Sequence, residues 1–86
     1  MHNSEIIAEA RNYVNIRLPQ RALEYTTNKI GKEEYRDELH AHLDYFQTLL
    51  TLNGNVGDPG YDYVLAAGMR QCISAIASEL TRLVRR

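Results

Sequence analysis

With 86 residues, ten bases, eleven acids and a single cysteine, the chain has the size of one domain and is too short for a second independent core. A net charge of −1 argues against a general polyanion binder, and a lone cysteine excludes an intrachain disulfide and fits a reducing, cytoplasmic setting. A chain this short buries only ~60–65% of its unfolded surface, so residues 1–86 are read as a single domain that needs help from a partner.

The first segment offers Asn3 or Ser4 as a helix cap, followed by Glu5 and Glu9 near the positive end of the helix dipole. Its apolar stripe is Ile6, Ile7, Ala10, Tyr13 and Val14, and the short run Ile6-Ile7-Ala8 is no signal-peptide core. Leu18-Pro19 is expected to end or kink this helix, because a residue before proline is pushed out of the α region. Pro19 then suits the first turn of a second helix through Ala22, Leu23, Thr26 and Ile30, with Gly31 as its C-terminal stop.

The spacing predicts a third helix over Lys32 to Leu52. Tyr35, Leu39, His42, Leu43, Phe46, Leu49 and Leu50 share an arc of about 120°, and Ala41, Tyr45 and Leu52 form a second apolar strip away from it. Asn53 to Gly57 reads as a loop, and Asp58 and Pro59 are the expected cap and first position of a last helix reaching about Arg85. Its apolar arc, about 180° wide, holds Tyr61, Leu65, Met69, Cys72, Ile73, Ala75, Ile76, Leu80, Leu83 and Val84. At 1.5 Å per residue it makes a rod of ~40 Å, longer than the ~30 Å diameter of a compact globule of this size.

The expectation is therefore an all-α fold, a bundle of three to four helices with a long, protruding C-terminal helix, completed by homodimerisation. The charges add to it: residues 31 to 46 carry five acids against two bases, a net −3, and residues 68 to 86 carry Arg70, Arg82, Arg85 and Arg86 against Glu79, a net +3. Antiparallel packing of two copies would bring these together. The expected interface residues are Tyr45, Leu52, Tyr63, Met69, Ile73, Leu80, Leu83 and Val84. Tyr25, Tyr45 and Tyr63 lie off the main stripes, and tyrosine suits partner surfaces because it covers area and keeps a polar tip.

Candidate chemistry is sparse. His40 and His42, between Glu38 and Asp44, suggest metal binding, but residues two apart on a helix point about 200° apart, leaving only His40 and Asp44 at ligand spacing. A solvated His40 and a core-edge His42 are expected, with no metal. Cys72 sits mid-face on the last helix and reads as core rather than nucleophile. The Gly54 to Gly60 loop precedes a helix start, where phosphate can bind, yet it lacks a following Lys-Ser/Thr, and Asp58 and Asp62 put negative charge there. No catalytic residue and no cofactor are expected. The longest uncharged apolar stretch, Tyr63 to Met69, is far short of the ~20 residues that span a membrane.

The segment GYDYVLAAGMRQCISAIASEL, with a capped start, a glycine after paired alanines and a basic residue two on, resembles the closing helix of short phage and prophage accessory proteins. The likeness covers about a quarter of the chain and carries no functional motif. It implies a small phage or bacterial protein that acts by binding a host or phage component. The leading expectation is a non-enzymatic protein–protein interaction module that modulates a macromolecular partner. The alternative is a small nucleic-acid-binding regulator using Arg82, Arg85 and Arg86 at the helix end.

Overall fold

The first apolar stripe runs Ile6, Ala10, Tyr13 and then, one residue out of step with an α-helix, Leu18, Ala22 and Tyr25. The backbone resolves this mismatch. In the computed structural model, which describes residues 2–85, α1 (Asn3–Asn12) passes into a π-helical turn (Tyr13–Arg17) and then into α2 (Leu18–Thr26) without a break. The Leu18 N–H donates to the Tyr13 carbonyl, five residues back. The turn inserts one extra residue into the rotation of the helix, which swings Leu18, rather than Arg17, onto the core. It also spares the chain a clash between the Pro19 ring and an ordinary α-helical turn. Of the expected end or kink at Leu18-Pro19, the end does not occur: the rod runs on through the π turn, and Leu18 keeps α-helical angles. The same shift turns Leu23 outward, 63% exposed, against its expected place on the inner stripe.

The rod stops before Gly31. Asn28 takes the left-handed conformation (φ 62), with Asn28 N–H donating to the Tyr25 carbonyl and Lys29 N–H to that of Glu24, the paired bonds of a Schellman motif. Gly31 is instead the extended residue (φ −79, ψ 162) that starts α3 (Lys32–Leu52). The third helix has the expected bounds, and Tyr35, Leu39 and Phe46 of its stripe are buried.

The last helix begins later than expected. Gly57 and Gly60 hold positive φ, so the loop continues past Pro59, and the Asp58 carboxylate accepts the Asn55 amide within it at 2.8 Å. The cap is Asp62, whose Oδ1 accepts the amides of Val64 (2.9 Å) and Leu65 (3.0 Å), opening α4 (Tyr63–Arg85). Asp62 Oδ2 also accepts the Asn3 side-chain amide at 3.0 Å. Asn3, with its side chain on Asp62, lies inside α1, which starts behind His2 without a side-chain cap, rather than capping it as expected. Asn53 closes the knot, donating to the Asp62 carbonyl (2.9 Å) and accepting its N–H (3.1 Å). One polar cluster therefore joins the start of α1, the end of α3 and the start of α4.

Three helical rods result, with no strand among the described residues. They share a core of Ile6, Ala10, Tyr13, Leu18, Tyr35, Leu39, Phe46, Leu65, Met69, Cys72, Ile76 and Leu83. The extents of 46 × 22 × 15 Å and the radius of gyration of 14.1 Å exceed the ~12 Å of a compact chain of this length. The elongation does not come from a protruding α4. Buried residues of that helix run from Leu65 to Leu83, and its wide apolar arc packs against α1 on one side and α3 on the other. The chain itself thus covers most of that arc, leaving Val84 at its end 84% exposed. No helix is long and apolar enough to cross a membrane.

Candidate interaction surfaces

The two charged segments lie side by side within one chain, with no ion pair between an α3 acid and an α4 base among the described residues. Helices α3 and α4 run antiparallel through the 53–62 connection, which sets the acidic half of α3 beside the basic end of α4. Tyr35 donates its hydroxyl to Glu79 at 2.7 Å, and Glu79 also pairs with Arg82. On the other flank of α3 the Arg21 guanidinium grips Glu38 through two bonds, at 2.8 and 2.5 Å, and reaches Glu24 at 3.1 Å. The Arg21 bond holds the Glu38 carboxyl below the usual range. Arg21 and Glu79 are therefore structural, as is Arg82 in part, and Arg85 remains exposed. Arg86, the third arginine of the nucleic-acid reading, lies outside the described residues.

The expected interface residues divide by exposure. Met69 (0% exposed) and Leu83 (4%) belong to the chain's own core and leave the set of surface candidates. Ile73 and Leu80 are half-buried, packed against that core. Tyr45, Leu52, Tyr63 and Val84 are exposed. Among the off-stripe tyrosines Tyr25 is half-buried and stacks on Tyr35 (5.2 Å), whereas Tyr63 stands outside against the edge of Tyr61 (4.8 Å).

Three exposed features remain. The outward strip of α3 comprises Ala41, Tyr45, Thr48 and Leu52, all exposed and separated by four, three and four residues, the spacing of an inter-helix seam. A second ridge, Ile16, Pro19 and Leu23, lies along the first rod. Its three- and four-residue spacing is ordinary helical periodicity that runs across Pro19. The third is a groove of about 320 Å³ between the first half of α3 and the last turns of α4, lined by Lys32, Arg36, His40, Leu80, Thr81, Leu83 and Val84. Its basic wall escaped the sequence reading because the segment was weighed by net charge. Yet Lys32, Arg36 and His40 follow one another every four residues and so share one face of α3.

The candidate chemical sites resolve into structure. His40 is exposed; His42 stacks on Tyr13 at 4.3 Å and places Nδ1 2.9 Å from the Glu38 carbonyl. No group of metal-ligating side chains is gathered among the described residues. Cys72 is buried, its Sγ 3.4 Å from the Ala10 carbonyl, and burial pushes its thiol up to about 11, opposite to the shift that activates a nucleophile. At the loop, the amides that would hold a phosphate are taken by Asp58 and Asp62.

No family model matches the chain, and no curated protein or solved structure is significantly similar to it.

Proposed function

We propose that the protein is a non-enzymatic helical module that binds other proteins, and that one of its contacts is with a second copy of itself. The supporting observation is the outward strip of α3. Ala41, Tyr45, Thr48 and Leu52 stand exposed at the spacing with which helices pair, on a helix whose inner stripe is already satisfied. A seam of this kind, rather than the apolar arc of α4, is the surface a second copy would cover, completing a larger helical bundle by two-fold symmetry. The resemblance of residues 60–80 to phage and prophage accessory proteins adds a host or phage protein as the expected further partner. Nucleic acid is the weaker reading, because Arg82 is engaged by Glu79.

The test is the solution mass by multi-angle light scattering across a dilution series, for the wild type and for Tyr45→Glu/Leu52→Glu. A dimer that becomes monomeric in the double variant, with unchanged helicity, supports the seam. A wild type that stays monomeric at tens of micromolar overturns self-association.

A further inference from the structure

We infer that the groove between α3 and α4 is a docking site for an acidic amphipathic helical segment of a protein partner. This deepens the interaction-module reading and rests on it. The groove has two unlike walls. Leu80 and Leu83 supply an apolar floor continuous with the core, and Val84, 84% exposed, extends it outward into solvent. Opposite them Lys32, Arg36 and His40 make a row over two turns of α3, about 12 Å along the axis. An apolar floor edged by the cations Lys32 and Arg36, with the His40 imidazole next along the row as a hydrogen-bonding group, fits a ligand with apolar side chains on one face and acids at the edge of that face. Acids three or four residues apart on a partner helix repeat every ~5 Å and so match the basic row.

The chemistry separates this occupant from others. A nucleic-acid backbone would engage the bases and leave Leu80 and Val84 without a partner, whereas apolar burial at the centre and charge at the rim is the usual anatomy of a protein interface. The rim row would govern encounter rate and salt dependence, and the apolar floor the lifetime of the complex. Arg36 has Asp37 at 3.8 Å, an exposed contact between adjacent residues that holds it weakly. An incoming carboxylate that is partly desolvated by Leu80 and Val84 competes well for it.

A displayed library of helical peptides, selected on the wild-type protein, tests the assignment. Enriched peptides are expected to combine Asp or Glu with Leu, Met or Phe at helical spacing. Their binding should weaken by about tenfold or more in Lys32→Glu/Arg36→Glu and in Val84→Asp. Arg11→Glu/Arg17→Glu, which changes net charge equally but lies off the groove, should bind as the wild type does. All these side chains are exposed, and circular dichroism confirms that each variant folds. No enrichment, enrichment without acids, equal loss in the off-groove variant, or equal binding of oligoglutamate or single-stranded DNA would each overturn the proposal. So would a change of solution mass in the groove variants, which would make the groove a self-contact. In parallel, cross-linking in a lysate compares wild type with groove variants. Partners kept by both overturn the groove and leave the module standing at another face; partners found by neither remove the module itself.

Discussion

Whether Asn28 or Gly31 ends the first rod decides the sign of two substitutions. Gly31 has extended angles and its missing Cβ would meet nothing within 4 Å, so a side chain there is free of strain. Gly31→Ser should stabilise the protein. Removing glycine from the unfolded chain contributes about 0.4–1 kcal/mol. The hydroxyl can accept the Glu34 amide, with Glu34 placed to reach back as in a capping box, which adds a few tenths of a kcal/mol. A gain near ~1 kcal/mol corresponds to a rise in Tm of about 4–8 °C for a domain of this size. At Asn28 the opposite holds: its φ of 62 makes Asn28→Ala cost about 1 kcal/mol, whereas Asn28→Gly has no such penalty. Thermal and urea unfolding followed at 222 nm measure all three. A loss of stability in Gly31→Ser together with a neutral Asn28→Ala would place the left-handed residue at Gly31 and refute the cap assigned here.

Deleting Asn15 removes the extra residue of the π turn and leaves Leu18 in α-helical register with Tyr13. Combined with Pro19→Ala the deletion should fold with native helicity, while alone it sets a proline inside a plain α-helix at a cost of about 3 kcal/mol; equal Tm values for the two would show that the turn has another cause. The raised thiol of Cys72, at about 11, means that the unfolded chain loses this proton first on the alkaline side. Stability should fall as pH rises from the ordinary thiol range to about 11, and Cys72→Ala should flatten that limb; Ellman's reagent should react with the wild type at the rate of unfolding. The Asp62 carboxyl is held below its usual range by the Leu65 amide, then by Asn3 and the Val64 amide. Its contribution is present above the ordinary carboxylate range and lost as pH falls through the lowered native value. In Asp62→Ala the amides of Val64 and Leu65 should exchange with solvent far faster; unchanged protection would remove the aspartate as the cap.

Much of the fold was legible because the strongest signals are periodic. The Lys32 to Leu52 helix was bounded correctly, since its stripe never leaves the 3.6-residue rhythm. In the first rod the expected end or kink at Leu18-Pro19 leaves the register open, because the one-residue phase slip between Tyr13 and Leu18 does not show when each side of Pro19 is read alone. The late start of α4 was hidden because Asp58-Pro59 is a good helix opening locally. The contacts that select Asp62 come from Asn3 and Asn53, distant in sequence. Of the candidate surface, Tyr45 and Leu52 were visible as an off-stripe pair. Met69 and Leu83 were not separable from Val84, because a wide apolar arc does not say how many neighbours the same chain will provide. The basic row of Lys32, Arg36 and His40 was present at plain four-residue spacing, and was masked by the acids between.

The polar cluster at Asp62 gives the molecule a clamped end. There the start of α1, the end of α3 and the start of α4 are locked together by hydrogen bonds. At the far end the turn at Asn28 joins α2 to α3, and α4 is held by side chains such as Glu79 and Leu83. The last helix is thus hydrogen-bonded through backbone groups at one end and held by side-chain packing at the other, about 30 Å away. A rotation of ~5° about Asp62 would carry the far end by about 3 Å over such a length. The groove between Lys32 and Val84 lies at the end farthest from that clamp, where a rotation of α4 about Asp62 would change its width most.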